Sequence, residues 1–475
     1  MNLITWLRIF ELKTRPIHPE SKRALDRRWQ ELPLRLRTPS QTLGKYAVGC
    51  EGTHGVFPQC NFACTPCYHS KDANRVAIDG HHTILEVEKQ MALLRTLRGP
   101  VGHAQLIGGE VSLLAPDDHA ETLLTMRKYG REPMGFTHGD FDYDYLRSIV
   151  LDVSGQVRIS RISFAAHFDT TMVGRGGIKK PESEPALDPY RSRFADMFKR
   201  LKHEFGVNSF LAHNMTVTPH NVDQIANVIR ECKHYGFGLF SFQPAAFVGN
   251  EQRWKENYRQ TTGDAVWEQI EQGAGTRLPF RAFQHGDERC NRTTYGFFCD
   301  DRYFPVIDDL DPIDLRHRDA FFRYLSGVSF TGSRRAHLAA KLIRISLRHP
   351  GAPIIAGHWL ARTIRKVGIR QLLANGIRPV TFVMHSFMDA SDVKQAWLAI
   401  QSGETCTEPR LVETQERLLG CSYAMAHPET GELVPACVQH SVLDPEENVE
   451  LRKLLPITHL ANPRRKTKNG AGENA

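Results

Sequence analysis

Three cysteines stand close together in the sequence, Cys60, Cys64 and Cys67, with the spacing C-x3-C-x2-C. Thiolates are soft ligands that favour iron–sulfur clusters, zinc and copper. A cubane cluster or a structural zinc site takes four ligands, and no fourth cysteine follows at the spacing of a zinc ribbon. Three thiolates on a cluster leave one iron open to a small molecule. A zinc knuckle or a group of buried thiols is the alternative interpretation.

The spacing of these cysteines resembles that of the radical S-adenosylmethionine (SAM) superfamily, although Pro66 precedes the last cysteine where that family usually has an aromatic residue, and Tyr68 follows it. The resemblance implies that the three cysteines hold a 4Fe–4S cluster and that the open iron binds SAM. It implies reductive cleavage of SAM to methionine and a 5′-deoxyadenosyl radical, which abstracts hydrogen from an unactivated carbon. An electron donor of the flavodoxin or ferredoxin type would supply the electron.

A second short motif, Gly108-Gly109-Glu110, follows a short apolar run at residues 103–107. Glycine lets the backbone approach a ligand closely, and a carboxylate accepts hydrogen bonds from an ammonium group. In the family that the cysteines resemble, a Gly-Gly-Glu in this place contacts the methionyl amino group of SAM. The resemblance therefore assigns these three residues to cofactor binding.

Four further polar residues lie at or near the ends of predicted strands, namely His167, Asp169, Asn214 and Gln243. By the same resemblance, His167 and Asp169 loosely match a pair near the SAM ribose, and Asn214 matches a fifth-strand asparagine near SAM. We expect Gln243 to contact SAM or substrate. A loop histidine with ordinary hydrogen bonds is the alternative for His167. No residue pattern identifies a general base, so the sequence names no catalytic side chain.

The elements that must position these residues alternate between strand and helix. Six predicted strands between residues 50 and 250 alternate with helices, which indicates an α/β fold with a partial (β/α)6 barrel of the TIM type. Active groups in such folds lie at the C-terminal ends of the strands. The predicted organisation is an N-terminal helical segment (1–48), the barrel (49–250), a C-terminal α+β extension (251–460) and a disordered tail (461–475).

The remaining cysteines divide into two sets. We assign Cys50 and Cys232 to packing. The C-terminal region holds five candidates for an auxiliary metal or iron–sulfur site, of which four could bind one cluster: Cys290, Cys299, Cys406, Cys421 and Cys437. Free buried thiols are the alternative. The last two flank a predicted hairpin turn at residues 429–431.

Three C-terminal elements resemble the corresponding region of archaeal tetraether-lipid synthases and their bacterial relatives. They are Phe387-Met388-Asp389, Glu416-Arg417 with Cys421 four residues later, and Gly431 followed by Pro435 and Cys437. The match is inexact, because Ala436 stands where the relatives usually have phenylalanine. The resemblance implies that the substrate is a membrane lipid or its acyl chain.

Charge is concentrated in one segment. Residues 320–388 hold eleven of the 61 Lys and Arg residues and no Asp or Glu, whereas the rest of the chain is slightly acidic. Two stretches of this segment, 334–348 and 358–374, are predicted helices with apolar and basic faces. Such helices suit an anionic membrane surface, and a solvated basic face is the alternative. Residues 3–12 form a similar candidate, either at a membrane surface or packed on the main domain.

The whole sequence narrows the class of protein. No apolar run is long enough to span a bilayer, and no signal-peptide pattern is evident. Ten cysteines without such a signal indicate a reducing compartment, so we expect a cytoplasmic protein, peripheral to the inner face of the membrane. Peptide and RNA modification are alternative enzyme functions, and RNA is disfavoured because no basic platform studded with aromatic residues is evident. A non-catalytic zinc- or nucleic-acid-binding protein is the alternative from another class.

Overall fold

The structure is a computed structural model, which describes residues 3–69, 72–249, 253–328, 330 and 335–457. Within these residues, eleven strands form one sheet in the order β11-β10-β1-β2-β3-β4-β5-β6-β9-β7-β8. The strands are β1 (Cys50–Gly52), β2 (Gly102–Leu106), β3 (Arg131–Thr137), β4 (Arg161–His167), β5 (Asn208–Val217), β6 (Leu239–Pro244), β7 (Asn291–Cys299), β8 (Arg302–Pro305), β9 (Arg378–His385), β10 (Tyr423–His427) and β11 (Glu432–Pro435). The predicted disordered tail lies outside the described residues.

Sixteen helices of the described chain surround this sheet. They are α1 (Leu3–Thr14), α2 (Pro19–Glu31), α3 (Gly80–Arg98), α4 (Pro116–Lys128), α5 (Tyr143–Val150), α6 (Asp188–Phe205), α7 (Ile225–Cys232), α8 (Gly263–Ala274), α9 (Pro312–Leu325), α10 (Arg335–Arg348), α11 (Gly351–Val367), α12 (Ile369–Asn375), α13 (Ala390–Ser402), α14 (Pro409–Leu419), α15 (Ala436–Val438) and α16 (Asp444–Leu454).

Parallel pairing dominates the sheet. Eight neighbouring strands, from β10 through β1–β6 to β9, run parallel, and β11, β7 and β8 are antiparallel. The sheet is open, because β11 and β8 are its two edges. The prediction of a partial barrel is therefore confirmed. The sequence did not predict that β9 and β10, from the C-terminal region, would extend the same parallel sheet on both sides.

Local sequence explains why the central elements form where they do. Helix α3 begins after Asp79, whose carboxylate accepts a hydrogen bond from the His82 backbone N–H at 2.8 Å, and ends at Gly99, which adopts φ +88°. Its residues Val87, Met91 and Leu94 are fully buried against the sheet. Strand β3 alternates buried and partly buried positions, as a strand between two layers should.

The predicted helix 334–348 is present as α10, although Arg334 lies outside the described residues. The bounds of the predicted helix 358–374 were wrong, because α11 begins at Gly351 and Gly368, with φ +94°, separates it from α12. The predicted N-terminal helix is α1, which packs on α10 with the Phe10 and His337 rings 6.2 Å apart. In the part of the chain that the structure describes, no helix is long and apolar enough to cross a membrane.

Candidate functional site

A cavity of about 780 Å³ runs along the inside of the open barrel. Its wall contains every residue that the sequence proposed for the cluster or for SAM: Cys60, Cys64, Cys67, Gly108, Gly109, Glu110, His167, Asp169, Asn214 and Gln243. Residues separated by up to 183 positions in the sequence therefore meet at one site, because the C-terminal ends of parallel strands share one edge.

The cysteine loop is held by backbone pairing to the segment after β4. The Ala63 N–H donates to the Val173 carbonyl at 2.8 Å, and the Thr65 N–H donates to the Thr171 carbonyl at 3.0 Å. At the start of the loop, the Cys60 N–H donates to the Asn74 side chain at 2.9 Å. These bonds fix a loop that has no regular structure of its own.

Gly108 and Gly109 pack against the chain that leads into the cysteines. The Gly109 N–H donates to the Phe57 carbonyl at 2.7 Å, and the Glu110 N–H donates to the Gln59 carbonyl at 3.0 Å. A methyl group on Gly109 would overlap the Pro58 and Gln59 carbonyls, and one on Gly108 would overlap the ring of Phe57. The sequence predicted glycines that let backbone approach a ligand, but the close approach here is to the protein's own cysteine loop.

Glu110 is buried and already makes several hydrogen bonds. Its carboxylate accepts from Thr137 Oγ1 at 2.6 Å, from the His138 N–H at 2.7 Å and from the Ser112 N–H at 3.0 Å. A carboxylate has about four acceptor positions, so one remains for a ligand. Glu110 thus ties β2 to β3, and its contact with SAM stays a prediction.

The other polar candidates lie on the neighbouring strands β4, β5 and β6. His167 pairs in register with Asn214, and their side-chain nitrogens are 3.2 Å apart. Burial lowers the pKa of His167 to about 4, so the imidazole is neutral. Asp169 accepts hydrogen bonds from the Thr216 N–H at 2.9 Å and from the Thr171 N–H at 3.0 Å. The first of these bonds connects the chain after β4 to β5. Gln243 lines the cavity beside them.

The three cysteines of the loop are partly buried, and the surroundings of their thiols fit a bound cluster. Burial raises the pKa of Cys60 to about 12, raises that of Cys64 well above its usual range and raises that of Cys67. Thiolates here need a positive charge to offset the loss of hydration. An iron–sulfur cluster supplies such a charge, so the donor set fits the group that the resemblance implies.

Arg253 is a residue that the sequence analysis missed. It lines the cavity and donates a hydrogen bond to the Cys67 thiol, which, together with its charge, opposes the effect of burial on the pKa of Cys67. Its charge also acts on the pKa of Cys60 and of Cys64. No motif surrounds Arg253 in the sequence, so no local signal could have identified it.

The geometry disfavours a single zinc ion on the three cysteines. Ligands of one zinc lie within about 4 Å of one another, because each Zn–S bond is only about 2.3 Å long. Among the described residues, one group of three potential ligands has its donor atoms within 4.8 Å of one another, and it is His54, His427 and Glu447. The Sγ atoms of Cys60, Cys64 and Cys67 do not all lie within this distance of one another, a spacing that the separate irons of a cluster permit.

The His54, His427 and Glu447 group is explained by its own hydrogen bonds. His54 Nε2 donates to the Ala426 carbonyl at 2.8 Å, and its Nδ1 lies 3.1 Å from Glu447 Oε2. Both partners are acceptors, so both ring nitrogens must carry protons. Burial alone would lower the pKa of His54, but Glu447, the Ala426 carbonyl and the charge of Asp444 together outweigh burial and raise this pKa. The group is an ion pair that attaches α16 to the chain after β1.

A second set of cysteines lines another part of the same cavity. Cys290, Cys421 and Cys437 come from the start of β7, the end of α14 and α15, and Cys50 lies beside them at the start of β1. They are near enough that Cys421 raises the pKa of the other three, in addition to the larger effect of burial. Arg417 Nε donates to Cys290 Sγ at 3.1 Å.

The structure separates the other auxiliary candidates from this set. Cys299 is buried with Phe297, Phe304 and Val367, and Cys406 packs against the small core around α13 and α14. Neither lines the cavity. Cys232 is buried in the main core, as predicted, whereas Cys50, which was also assigned to packing, lines the cavity.

Comparisons with known proteins found similarity only at a low level. No protein-family profile and no curated protein matches the chain. Streptococcus suis SuiB bound to its precursor peptide SuiA is 12% identical over 45% of this chain and 43% of that one, with a TM-score of 0.30. Native anSMEcpe with bound AdoMet, which is SAM, is 15% identical over 46% of this chain and 57% of that one, also with a TM-score of 0.30.

The chain thus spans about half of the length of the solved structures that it matches. At these identities and TM-scores, the similarity decides neither fold nor function. Both rest on the strand order and on the cavity described above.

Proposed function

We propose that this protein is a radical SAM enzyme whose 4Fe–4S cluster is held by Cys60, Cys64 and Cys67. The observation that carries the proposal is the convergence of three partly buried cysteines with all the candidate SAM residues in one cavity. A bound cluster would supply the electron that cleaves SAM and so generate the radical that abstracts hydrogen from substrate.

The chain's own residues would bind and orient SAM. Glu110 has one acceptor position left for the amino group, and Arg253 offers a guanidinium for the carboxylate. His167 and Asn214 present polar edges further along the rim. The low pKa of His167 keeps that site uncharged, which suits the polar but neutral ribose.

Anaerobic reconstitution with iron and sulfide tests the proposal. We expect a brown protein that loses about four irons per chain when Cys60, Cys64 and Cys67 are replaced, and that cleaves SAM when reduced only if all three are present. The matched control is Cys232→Ala, which removes a thiol of the main core. A colourless protein that binds one zinc would refute the proposal.

We propose further that the substrate is a lipid with a long acyl chain. The cavity continues from the cysteine loop to the N-terminal end of the barrel, and the distance along β2 from Gly108 to Gly102 is about 20 Å. Apolar side chains line the distant part: Leu25, Val48, Val101, Val328 and Phe330. A largely apolar passage of this length suits an extended acyl chain better than a polar nucleic acid.

Lipid extraction tests the substrate separately from the cluster. A strain that lacks the gene should lose a modified lipid that the wild-type gene restores and the Cys60→Ala variant does not. An unchanged lipid profile, with active SAM cleavage by the purified protein, would favour peptide or RNA modification instead.

We also propose an auxiliary metal site at Cys290, Cys421 and Cys437, with Cys50 as a fourth thiol. Their convergence from distant parts of the chain supports it. The test is iron content in a variant that lacks the three cysteines of the loop. Iron should remain there and disappear on further replacement of Cys421 by alanine, whereas Cys299→Ala and Cys406→Ala should have no effect. Absence of iron from the variant that lacks only the three loop cysteines would refute this site.

A further inference from the structure

The solvent-facing side of helix α10 is unusually apolar. Residues Ala336, Ala339, Leu342, Ile343 and Leu347 are exposed, whereas Lys341 and Ile345 are buried. A surface helix of a water-soluble domain normally shows the opposite arrangement, with its apolar stripe towards the core. This inversion means that α10 presents an apolar stripe away from the protein.

Neighbouring helices continue this exposed apolar surface. Helix α10 contacts α1 and α11, and α11 contacts α12. Eleven of the twenty-five exposed large hydrophobic residues of the described chain lie on or next to these helices, and we call them the apolar helical face: Ile4, Trp6, Leu7, Leu342, Ile343, Leu347, Ile354, Leu360, Ile369, Leu373 and Ile377. Apolar surface concentrated in this way marks an interaction site.

Charge identifies the occupant of the face. Exposed arginines border it at Arg335, Arg348, Arg365 and Arg370, and within the described residues none of them makes an ion pair with a carboxylate. The acid on α1, Glu11, is paired with Arg15 and lies 4.0 Å from Arg344. Apolar side chains ringed by free cations complement a bilayer with anionic headgroups.

The face also lies beside one end of the cavity. Val328 and Phe330 line that end, and α10 begins a few residues later at Arg335. On the other side, Ile17 connects α1 to α2 and pairs with Val328. The cysteine loop is at the opposite end of the barrel. A lipid that leaves a bilayer at this face would therefore meet the apolar end of the cavity first.

We propose that the apolar helical face docks on an anionic lipid bilayer, with its helices lying along the surface. The helices have 12, 14, 17 and 7 residues, which is shorter than the roughly 20 residues that a bilayer crossing requires. The inference deepens the proposed function and rests on it for the lipid that enters the cavity, but docking itself requires neither cluster nor SAM.

Vesicle sedimentation of the full-length protein tests the docking. Wild-type protein should bind vesicles of phosphatidylglycerol in phosphatidylcholine and bind pure phosphatidylcholine much less. Three apolar residues are almost fully exposed and can be changed without disturbing a core: Leu347 at 80%, Ile354 at 72% and Leu373 at 81%. Their joint replacement by glutamate should weaken binding at least a hundredfold, because each loses the transfer of a leucine-sized side chain.

Matched controls use residues of equal exposure away from the face. Leu34→Glu and Val153→Glu, at 80% and 102% exposed, should bind vesicles as the wild type does. Replacement of Arg335, Arg348, Arg365 and Arg370 by glutamine should weaken binding about fivefold for each charge removed. Thermal unfolding of each variant shows whether it is folded.

The alternative occupant is a second copy of this chain. If the wild type is a dimer, the glutamate variant is a monomer and neither binds vesicles, the docking proposal is overturned. Equal binding by the glutamate variant and the wild type would also overturn it. The variant that lacks Cys60, Cys64 and Cys67 should bind vesicles normally, so failure of the cluster proposal and failure of docking are distinguishable.

Discussion

Replacement of Gly109 by alanine should release the cysteine loop without removing any cysteine. The new methyl group would lie less than 3.0 Å from the Pro58 and Gln59 carbonyls, and backbone cannot yield as a flexible side chain can. The strain of such overpacking costs about 1–3 kcal/mol. Relief of the strain moves the loop and weakens the two backbone hydrogen bonds to residues 57 and 59, each worth about 1 kcal/mol. The expected local cost is therefore about 3–5 kcal/mol if both hydrogen bonds are lost.

Two measurements check this prediction. Iron content after anaerobic reconstitution should fall well below that of the wild type, and the unfolding midpoint of the metal-free protein should fall as well. Gly357→Ala is the matched control, because a methyl group there meets nothing within 4 Å and the residue lies in a helix. Full iron content and wild-type stability in the Gly109 variant would contradict this reasoning. They would mean that the backbone hydrogen bonds of Gly109 and Glu110 are not needed to position the cysteine loop.

Three further variants probe the cavity wall and its supports. Glu51→Gln leaves the guanidinium of Arg131 buried, with its 2.8 Å ion pair broken, and should cost about 3–5 kcal/mol in denaturant unfolding. Glu447→Gln should cost more stability at acidic than at alkaline pH. Because the pKa of His54 is raised in the folded protein, its ion pair with Glu447 stabilises the fold at pH values below the pKa of an unfolded histidine. This contribution fades as the pH rises through the folded-state pKa. Arg253→Gln should weaken SAM binding roughly tenfold to a hundredfold in equilibrium dialysis, with unchanged iron content.

Each of these variants has an outcome that would contradict its reasoning. A Glu51 variant as stable as one at the exposed Glu450, whose side chain is 71% accessible, would mean that water reaches Arg131. A pH-independent effect of the Glu447 change would mean that His54 is neutral throughout. If the Arg253 variant lost both iron and SAM binding, the role of Arg253 would be to stabilise the cysteine loop rather than to bind SAM.

The sequence by itself determined which residue types are available for chemistry and the order of the elements around them. Local spacing is enough to predict that Cys60, Cys64 and Cys67 form one ligand set. Alternation of apolar runs is enough to place six strands and their helices, because strand and helix periods differ. It also determined that residues 320–388, with eleven Lys and Arg and no Asp or Glu, account for the net positive charge, since charges can be counted without knowing the fold.

Only the tertiary structure decided which distant residues share a surface. The glycine motif packs on the cysteine loop, Arg253 reaches Cys67, and Cys50 joins Cys421, because neighbouring strands and loops bring them together across long stretches of chain. The strands β9 and β10 come from the C-terminal region, yet they complete the core sheet through hydrogen bonds that no local pattern encodes. The direction of the apolar stripe on α10 was likewise undecided, because periodicity reveals a stripe but not what it faces.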